Sequence, residues 1–400
     1  MVKEYPTRLH KDARILSVPD GWRLCRIGDT CVLRNNLRKP ISATERRKVP
    51  GPYPYYGPTS KVDEINEYLL DGTYTLIGED GDHFLKFDRM SMTQLIHGKS
   101  NVNNHAHILE GKDDCSTEWI FHFFRHRNIY HFLSRQGAGR YKLNKDTLCQ
   151  LPILVPPLAE QAEIAKALST WDRAIRMTDS LIVAKQKRKH ALKQQLLTGK
   201  TRVPGFVGKW ETHKAGEVFS ARSIKDHPDE ILLSVTQDRG IVRRDEMDRK
   251  IQMDQSTTGN YKLVEPNDYV ISLRSFQGGL EMATIRGIVS PAYHVIRPNF
   301  KICPDFFRHF FKSYEFIGRL AVAVIGIRDG KQISFSDFAF MNFRVPPFEE
   351  QEAIANVLNC QDAEIEILKQ KVELIQKQKS GLMQQLLTGK TRVKVAEAVA

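Results

Sequence analysis

The feature that most constrains this chain is an internal repeat. The ten residues QQLLTGKTRV at 194–203 recur without a change at 384–393. The match extends upstream without a gap to the VPPLAEQ segment that starts at Val155 and the VPPFEEQ segment that starts at Val345, an offset of 190 residues. Such a period is far too long for a solenoid of short units, so the sequence predicts a tandem duplication of one two-part unit.

The two halves are alike at their ends and unlike in between. Trp22 and Gly28 near the start of the first half correspond to Trp210 and Gly216 in the second, whereas the segments that follow have no good partner. This alternation predicts four segments. They are a first variable domain at 1–154, a first conserved helix at 155–203, a second variable domain at 204–344 and a second conserved helix at 345–400.

Each conserved segment has the pattern of one long helix. A proline pair followed by acidic and amide side chains suits a helix N-terminus, and Gly199 and Gly389 can adopt the left-handed conformation that ends a helix. Apolar residues in between recur with the 3.5-residue period of a coiled coil, so each helix would have roughly 40 residues and span about 60 Å. The predicted seam comprises Ile164, Leu168, Trp171, Ile175, Ile182, Leu192, Leu196, Ile354, Leu358, Ile365, Leu368, Val372, Ile375, Leu382 and Leu386.

A helix with an apolar stripe needs a partner to bury that stripe, and the other copy is the obvious one. The sequence therefore predicts an α+β protein in which two α/β globular domains are joined by two long antiparallel coiled-coil helices with pseudo-twofold symmetry. The helix pair would act as a ruler between the domains. The alternative is that the stripe is ordinary core within one larger fold. Lys185, Lys189 and Lys379 interrupt the stripe and would be costly to bury without partners, so we expect the seam to loosen there.

The variable segments have the alternating or short apolar runs of strands, separated by glycine-containing turns, and each ends in a helical pattern. Each is therefore predicted to be a small α+β domain. The predicted strands are 73–78, 105–109, 231–236, 268–273 and 292–296, and the predicted terminal helices are 118–133 and 304–320.

The charge of the chain points to a polyanionic partner. Lys and Arg number 60 against 47 Asp and Glu, which gives a formal net charge of +13. Basic residues interleave with tyrosines in the variable segments, and such loops can bring cations to phosphates and Arg or Gln to base edges. The alternative, a solvated basic face with structural tyrosines, stays open for each residue. The candidate DNA-binding residues are Arg46, Arg47, Lys48, Tyr55, Tyr56, Lys61, Arg239, Arg243, Arg244, Tyr261, Lys262, Arg274 and Gln277.

In combination, these motifs resemble the specificity (S) subunit of a type I restriction–modification system. The resemblance rests on VPPLAEQ and VPPFEEQ, the heptad helices that end in QQLLTGK, the W-x5-G openings, and the IGEDG and ISLRSFQGG segments, the latter followed by GIVSPAYHVI. It covers essentially the whole chain. In that family each variable domain is a target-recognition domain that reads one half of a bipartite, asymmetric site on double-stranded DNA, and the paired helices set the spacer between the half-sites.

The resemblance also implies partners and a division of labour. Two modification (methyltransferase) subunits would dock on the helix pair, and restriction subunits would join the assembled complex. Those subunits would carry every catalytic group and bind S-adenosylmethionine, ATP and Mg, so this chain would have no catalytic residue, cofactor or metal of its own. It would be a cytoplasmic protein of prokaryotic defence with no membrane contact.

The residues themselves give little sign of other chemistry. TGKT at 198–201 and 388–391 resembles the tail of a phosphate-binding loop, but Gln194 and Gln384 stand where its first glycine would be. The six cysteines are scattered without a C-x-x-C pair, which disfavours zinc and disulfide frameworks. No run approaches the roughly 18 apolar residues that cross a bilayer.

Two other functions stay open at this point. One is a self-contained metal-dependent nuclease that uses Asp229, Asp248 and Lys250, although so short a pattern often arises by chance. The other is a scaffold whose coiled coil binds proteins and whose basic charge is incidental.

Overall fold

The computed structural model describes residues 15, 17–136, 140–247, 255–323 and 333–395. The chain folds into two compact units. The first contains the chain up to Thr178 and again from Lys371, and the second contains Asp179–Gln370. Asp248 and Lys250, two of the three residues of the nuclease hypothesis, lie outside the described residues.

The helices include two that are much longer than the rest. Several short helices begin at a capping serine, as at Ser116, whose hydroxyl accepts from the backbone N–H of Trp119. In chain order the helices of the described residues are α1 (Ile27–Thr30), α2 (Ala43–Arg46), α3 (Thr117–Phe124), α4 (Lys145–Gln150), α5 (Leu158–Leu196), α6 (Ala215–Val218), α7 (Ser275–Gly278), α8 (Pro304–Phe310), α9 (Tyr314–Ala323), α10 (Phe335–Ala339) and α11 (Phe348–Leu386).

The first variable domain is built on a six-stranded sheet in the order β2-β7-β5-β6-β3-β4, in which only β3 and β6 run parallel. A separate antiparallel ribbon joins β1 to β10, the strand that leads into α5. The strands of this domain are β1 (Arg23–Arg26), β2 (Cys31–Leu33), β3 (Pro50–Tyr56), β4 (Lys61–Ile65), β5 (Leu70–Gly78), β6 (Thr93–Val102), β7 (Ala106–Gly111), β8 (Ser134–Gln136), β9 (Arg140–Lys142) and β10 (Pro152–Val155).

The second variable domain has shorter strands, with a four-stranded sheet in the order β12-β19-β16-β17. Here too an antiparallel ribbon, β11 with β20, leads into the long helix α11. The strands are β11 (Glu211–Lys214), β12 (Phe219–Arg222), β13 (Leu233–Thr236), β14 (Gly240–Arg243), β15 (Lys262–Val264), β16 (Tyr269–Ile271), β17 (Glu281–Met282), β18 (Gly287–Val289), β19 (His294–Pro298) and β20 (Asn342–Val345).

The two conserved segments form the predicted long helices, each of 39 residues. Both end before a glycine in the left-handed region, Gly199 with φ of +70° and Gly389 with φ of +69°. None of the fifteen predicted seam residues is exposed. Each helix contributes one part to each compact unit.

The cores of the two units show which ends of the long helices meet. In the first unit Ile164 and Leu168 near the start of α5 share a core with Leu386 at the end of α11. In the second unit Leu196 at the end of α5 shares a core with Ile354 near the start of α11. Within each unit the two helices therefore pair antiparallel, and the fold is the predicted α+β arrangement of two globular domains on an antiparallel helix pair.

The helices at the ends of the variable domains are shorter than predicted. The pattern predicted one helix over 118–133, but α3 ends at Phe124 and only a 3₁₀ turn, Tyr130–Phe132, follows. The predicted helix over 304–320 is broken into α8 and α9 around Ser313, whose hydroxyl accepts from the N–H of Phe316. Serine bonds of this kind compete with helical bonds and start a new helix.

Candidate nucleic-acid interface

A buried carboxylate ties the first variable domain to the long helices. Glu160 of α5 accepts bonds from the guanidinium of Arg392 at 2.6 and 2.7 Å and from the indole N–H of Trp22 at 2.9 Å. Only 2% of Glu160 is exposed. A carboxylate so far from water requires partners of this kind, because an unpaired buried charge is strongly destabilising.

The second unit repeats this contact with the equivalent residues. Glu350 of α11 accepts from Arg202 at 2.5 and 2.6 Å and from the indole N–H of Trp210 at 3.0 Å. Glu350, Arg202 and Trp210 are the repeat partners of Glu160, Arg392 and Trp22. We call each set the Trp–Glu–Arg clamp. The clamps explain why the tryptophan, the acidic residue after the proline pair and the TGKTR tail are all shared by the two halves.

The lysines of the seam are paired, so the unpaired burial on which the expected loosening rested does not occur. In the first unit Lys379 of α11 donates to Asp172 of α5 at 2.6 Å, and Arg125 donates to the same carboxylate at 2.5 Å. Lys379 and Asp172 are both buried. A carboxylate on the facing helix offsets the cost of burying the ammonium group, and the pattern of one helix could not reveal this partner.

The second unit pairs its seam lysines in the same way. Lys189 of α5 binds Asp362 of α11, the repeat partners of Lys379 and Asp172. Lys185 also lies 2.5 Å from Glu364. These pairs set the register of two helices whose apolar contacts alone would tolerate a shift.

The candidate DNA-binding residues of the first domain differ in how far they are exposed to solvent. Arg47, Lys48 and Lys61 are exposed. Arg46 instead bonds Asp63 at 2.9 Å and lies over the ring of Tyr55.

Tyr55 is fully buried, and its hydroxyl accepts from the N–H of Ile41 and donates to the carbonyl of Lys39. Tyr55 is therefore a core residue that DNA cannot reach. Burial also raises the pKa of Tyr56, which is half-buried.

The candidate DNA-binding residues of the second domain also differ in how far they are exposed to solvent. Arg239, Arg243, Arg274 and Gln277 are exposed, and Arg244 is half-buried. Tyr261 is buried in a small apolar cluster and is not available to a ligand.

Lys262 donates to the carbonyl of Tyr293 at 2.6 Å, and burial lowers its pKa. Asp229 is the residue of the nuclease hypothesis that the structure describes. The described residues contain no cluster of three or more metal-ligating side chains, so Asp229 belongs to no candidate metal site.

Two of the exposed candidates of the second domain, Arg274 and Gln277, lie on one rigid turn, residues 272–279. The backbone N–H of Ser272 donates to the hydroxyl of Ser275, which opens α7. Gly279 closes it with φ of +79°, and a Cβ at this position would lie 1.9 Å from the carbonyl oxygen of Phe311. Only glycine fits here. The SFQGG motif thus holds Arg274 and Gln277 at fixed, exposed positions, which suits base reading.

Comparison with known proteins connects this architecture to one family. The family model for the type I restriction modification DNA specificity domain matches residues 19–183. The type I restriction enzyme MjaVIII specificity subunit of Methanocaldococcus jannaschii is 25% identical, over 98% of this chain and 97% of its own. MjaX of the same organism, provisionally named a specificity subunit, is 24% identical over 98% and 99%. The crystal structure of the type I restriction–modification S subunit of M. genitalium superimposes with a TM-score of 0.60 at 13% identity, over 93% of this chain and 96% of that one.

The chain is thus similar over its whole length to type I restriction–modification specificity subunits, and residues 19–183 match their DNA specificity domain. The specificity subunit is the non-catalytic component of such systems, and catalysis lies in other subunits. The nuclease hypothesis is therefore replaced by that of a recognition subunit. In the described part of the chain, no helix is long and apolar enough to cross a membrane.

Sequence reasoning missed a group of cations where the second variable domain meets the conserved helix α5. Lys193 of α5, Arg308 of α8 and the adjacent Lys312 line a cleft of about 320 Å³ together with Lys189 and Arg239. Their neighbours in sequence have the pattern of an ordinary helix surface, so the sequence did not indicate a binding site there. One signal in the sequence could have marked the site. Lys193 stands where the other copy of the repeat has the apolar residue Met383.

Proposed function

We propose that this chain recognises a bipartite, asymmetric site on double-stranded DNA, with one half-site read by each globular domain. The proposal rests on one observation: the two globular domains are attached to the long helices by the same contacts but present different surfaces. Both domains are held by the same Trp–Glu–Arg clamp, yet the exposed cations lie on unrelated loops, Arg47 in one and Arg274 in the other. Two different recognition domains that are attached by equivalent contacts suit an asymmetric site with two different half-sites.

We further propose that the helix pair sets the spacer and docks two modification subunits. Met177 of α5 and Ile367 of α11 are repeat partners, and they are 67% and 63% exposed. Equivalent exposed apolar side chains give each repeat the same candidate contact, which suits the docking of two copies of one subunit. Restriction subunits would join through the assembled complex. S-adenosylmethionine, ATP and Mg would be bound by the partner subunits.

The test is to identify the DNA sequence that the chain specifies when it is produced with its modification subunits. We expect methylation mapping to yield two short specified blocks separated by unspecified base pairs. Replacing Arg274 by Ala should relax positions in one block only, by about 1–3 kcal/mol for each lost base contact. Lys209→Ala removes an exposed charge outside the turn and serves as the control. A single contiguous specified block, or relaxation of both blocks by Arg274→Ala, would contradict the proposal.

A further inference from the structure

The cleft of the second unit lies between the recognition domain and the long helices, and it is cationic. Its five basic side chains face three acidic ones. Two of the acids are already occupied, because Asp362 binds Lys189 and Glu281 binds Lys312. Of the other cations, Arg308 is paired with Asp305 at 2.7 Å and Arg239 lies 3.8 Å from Glu246.

Lys193 is the cation in this cleft that has no acidic partner. Its ammonium group donates to the backbone carbonyl of Lys312 at 3.1 Å. Among the described residues no carboxylate lies within ion-pair distance of it, and the carboxylate of Asp362 is engaged by Lys189. Burial lowers the pKa of Lys193 to about 8, so the group is still mostly protonated at neutral pH. A half-buried ammonium group with an incomplete set of partners is well suited to bind an anion.

The cleft is connected to the rigid turn that carries the reading candidates. Gln237 and Arg239, on the turn between β13 and β14, line the cleft. The side chain of Gln237 donates to the carbonyl of Arg274 at 3.3 Å and lies 3.5 Å from the amide oxygen of Gln277. DNA whose bases meet Arg274 and Gln277 would therefore bring its backbone towards Arg239 and Lys193.

The first unit has a cleft at the equivalent place but with a different lining. It is larger, about 860 Å³, and Met383 occupies the position equivalent to Lys193. Apolar side chains such as Phe87 and Leu387 also line it. Five basic side chains also line it against two acidic ones, so this cleft is cationic as well, and it differs from the cleft of the second unit in having methionine in place of Lys193. The first unit thus shows that methionine is compatible with this position of the helix pair.

We propose that the cleft formed by Lys193, Arg239 and Arg308 binds a backbone phosphate of the DNA beside the second half-site. This inference rests on the proposed DNA-binding function. The contact is sequence-independent, and it extends the DNA interface from the recognition domain onto the conserved helix α5. It contributes affinity and position, whereas the turn at 272–279 contributes base preference.

The test compares Lys193→Met with Lys187→Met in the full chain bound to its modification subunits. Lys187 is an exposed lysine on the same helix that does not line the cleft, so both variants lose the same charge. We expect Lys193→Met to weaken binding to the mapped target about three- to tenfold in dilute salt, and to lower the slope of log affinity against log salt by about 0.9. Base preference at both half-sites should be unchanged. Lys187→Met should behave as the parent chain.

Other results would overturn the inference without touching the proposed function. If the parent complex binds its target and Lys193→Met binds with the same affinity and salt slope, the cleft holds no phosphate. If Lys193→Met binds DNA normally but loses modification subunits, the cleft is a docking site for an acidic protein segment instead. Failure of the parent complex to prefer any DNA sequence would reject the proposed function itself. Equal thermal unfolding of both variants and the parent chain establishes that the fold is intact.

Discussion

Two buried histidines occupy equivalent places where each recognition domain packs on the long helices. His122 lies 3.4 Å from the hydroxyl of Ser169, and His309 lies 2.8 Å from the amide oxygen of Asn359. Ser169 and Asn359 are repeat partners. Burial lowers the pKa of His122 to about 3 and that of His309 to about 4. Both rings are therefore neutral in the folded protein, and protonation opposes this packing.

At the residue scale we predict a loss of stability in mild acid. The pKa of His122 is about 3 in the folded chain and about 6.5 in the unfolded chain, so the unfolded state binds the proton first. The stability is fully present above pH 6.5 and falls as the pH drops towards the folded value. At pH 5 the loss is about 2 kcal/mol for this residue. Urea unfolding of His122→Gln should show a shallower decline between pH 7 and pH 5, whereas the exposed His131→Gln should follow the parent chain. Equal declines for the parent chain and His122→Gln would contradict this.

At the scale of elements, the long helices were the most predictable part. Their start, their glycine ends and their apolar seam are properties of one continuous segment, so the period of the sequence suffices to find them. The partners of the seam lysines were not predictable. Lys379 and Asp172 are 207 residues apart, and which positions face each other depends on how two helices pair rather than on either pattern.

A matched deletion tests the proposed role of the helix pair as a ruler. In both units the paired positions Lys379–Asp172 and Lys189–Asp362 identify which residues face each other. Removing 178–184 from α5 and 367–373 from α11 deletes one facing heptad from each helix and leaves these ion pairs in place. About 10 Å of helix is lost, equal to about three base pairs of duplex.

We expect methylation mapping of this variant to yield a spacer shorter by about three base pairs and unchanged half-sites. Deleting four residues from each helix instead should disrupt the seam, because four residues do not preserve the 3.5-residue period. Changed half-sites with an unchanged spacer would show that the helices do not act as a ruler.

At the scale of the whole molecule, duplication explains why equivalent contacts recur while surfaces diverge. The Trp–Glu–Arg clamps, the Asp–Lys pairs and the histidine contacts all recur at equivalent places in the two halves. The six-stranded sheet of one domain and the four-stranded sheet of the other are not alike. Mutations that alter an exposed loop cost little, whereas the loss of one partner from a buried charge pair is severe.

The clamps predict equal and additive effects on stability. Arg392→Ala leaves the buried carboxylate of Glu160 with only the indole N–H of Trp22, and Arg202→Ala does the same to Glu350. Each variant should lose about 3 kcal/mol of unfolding free energy. The two clamps share no residue, so the double variant should lose the sum. Chemical denaturation measures this, with Arg188→Ala, an exposed arginine on α5, as the control. A double variant no less stable than either single one would show that the clamps are coupled.

The amino-acid sequence alone determined the duplication, the two long helices with their seam, and the class of fold and family, because all of these are written in repeats and periods along the chain. Only the tertiary structure decided which candidate side chains can meet a ligand. Tyr55 and Tyr261 are buried, while Arg274 and Gln277 are held outward by a glycine turn packed on Phe311. Burial and pairing depend on contacts between residues distant in sequence. The 119 residues that separate Lys193 from Lys312 carry no local signal of their contact.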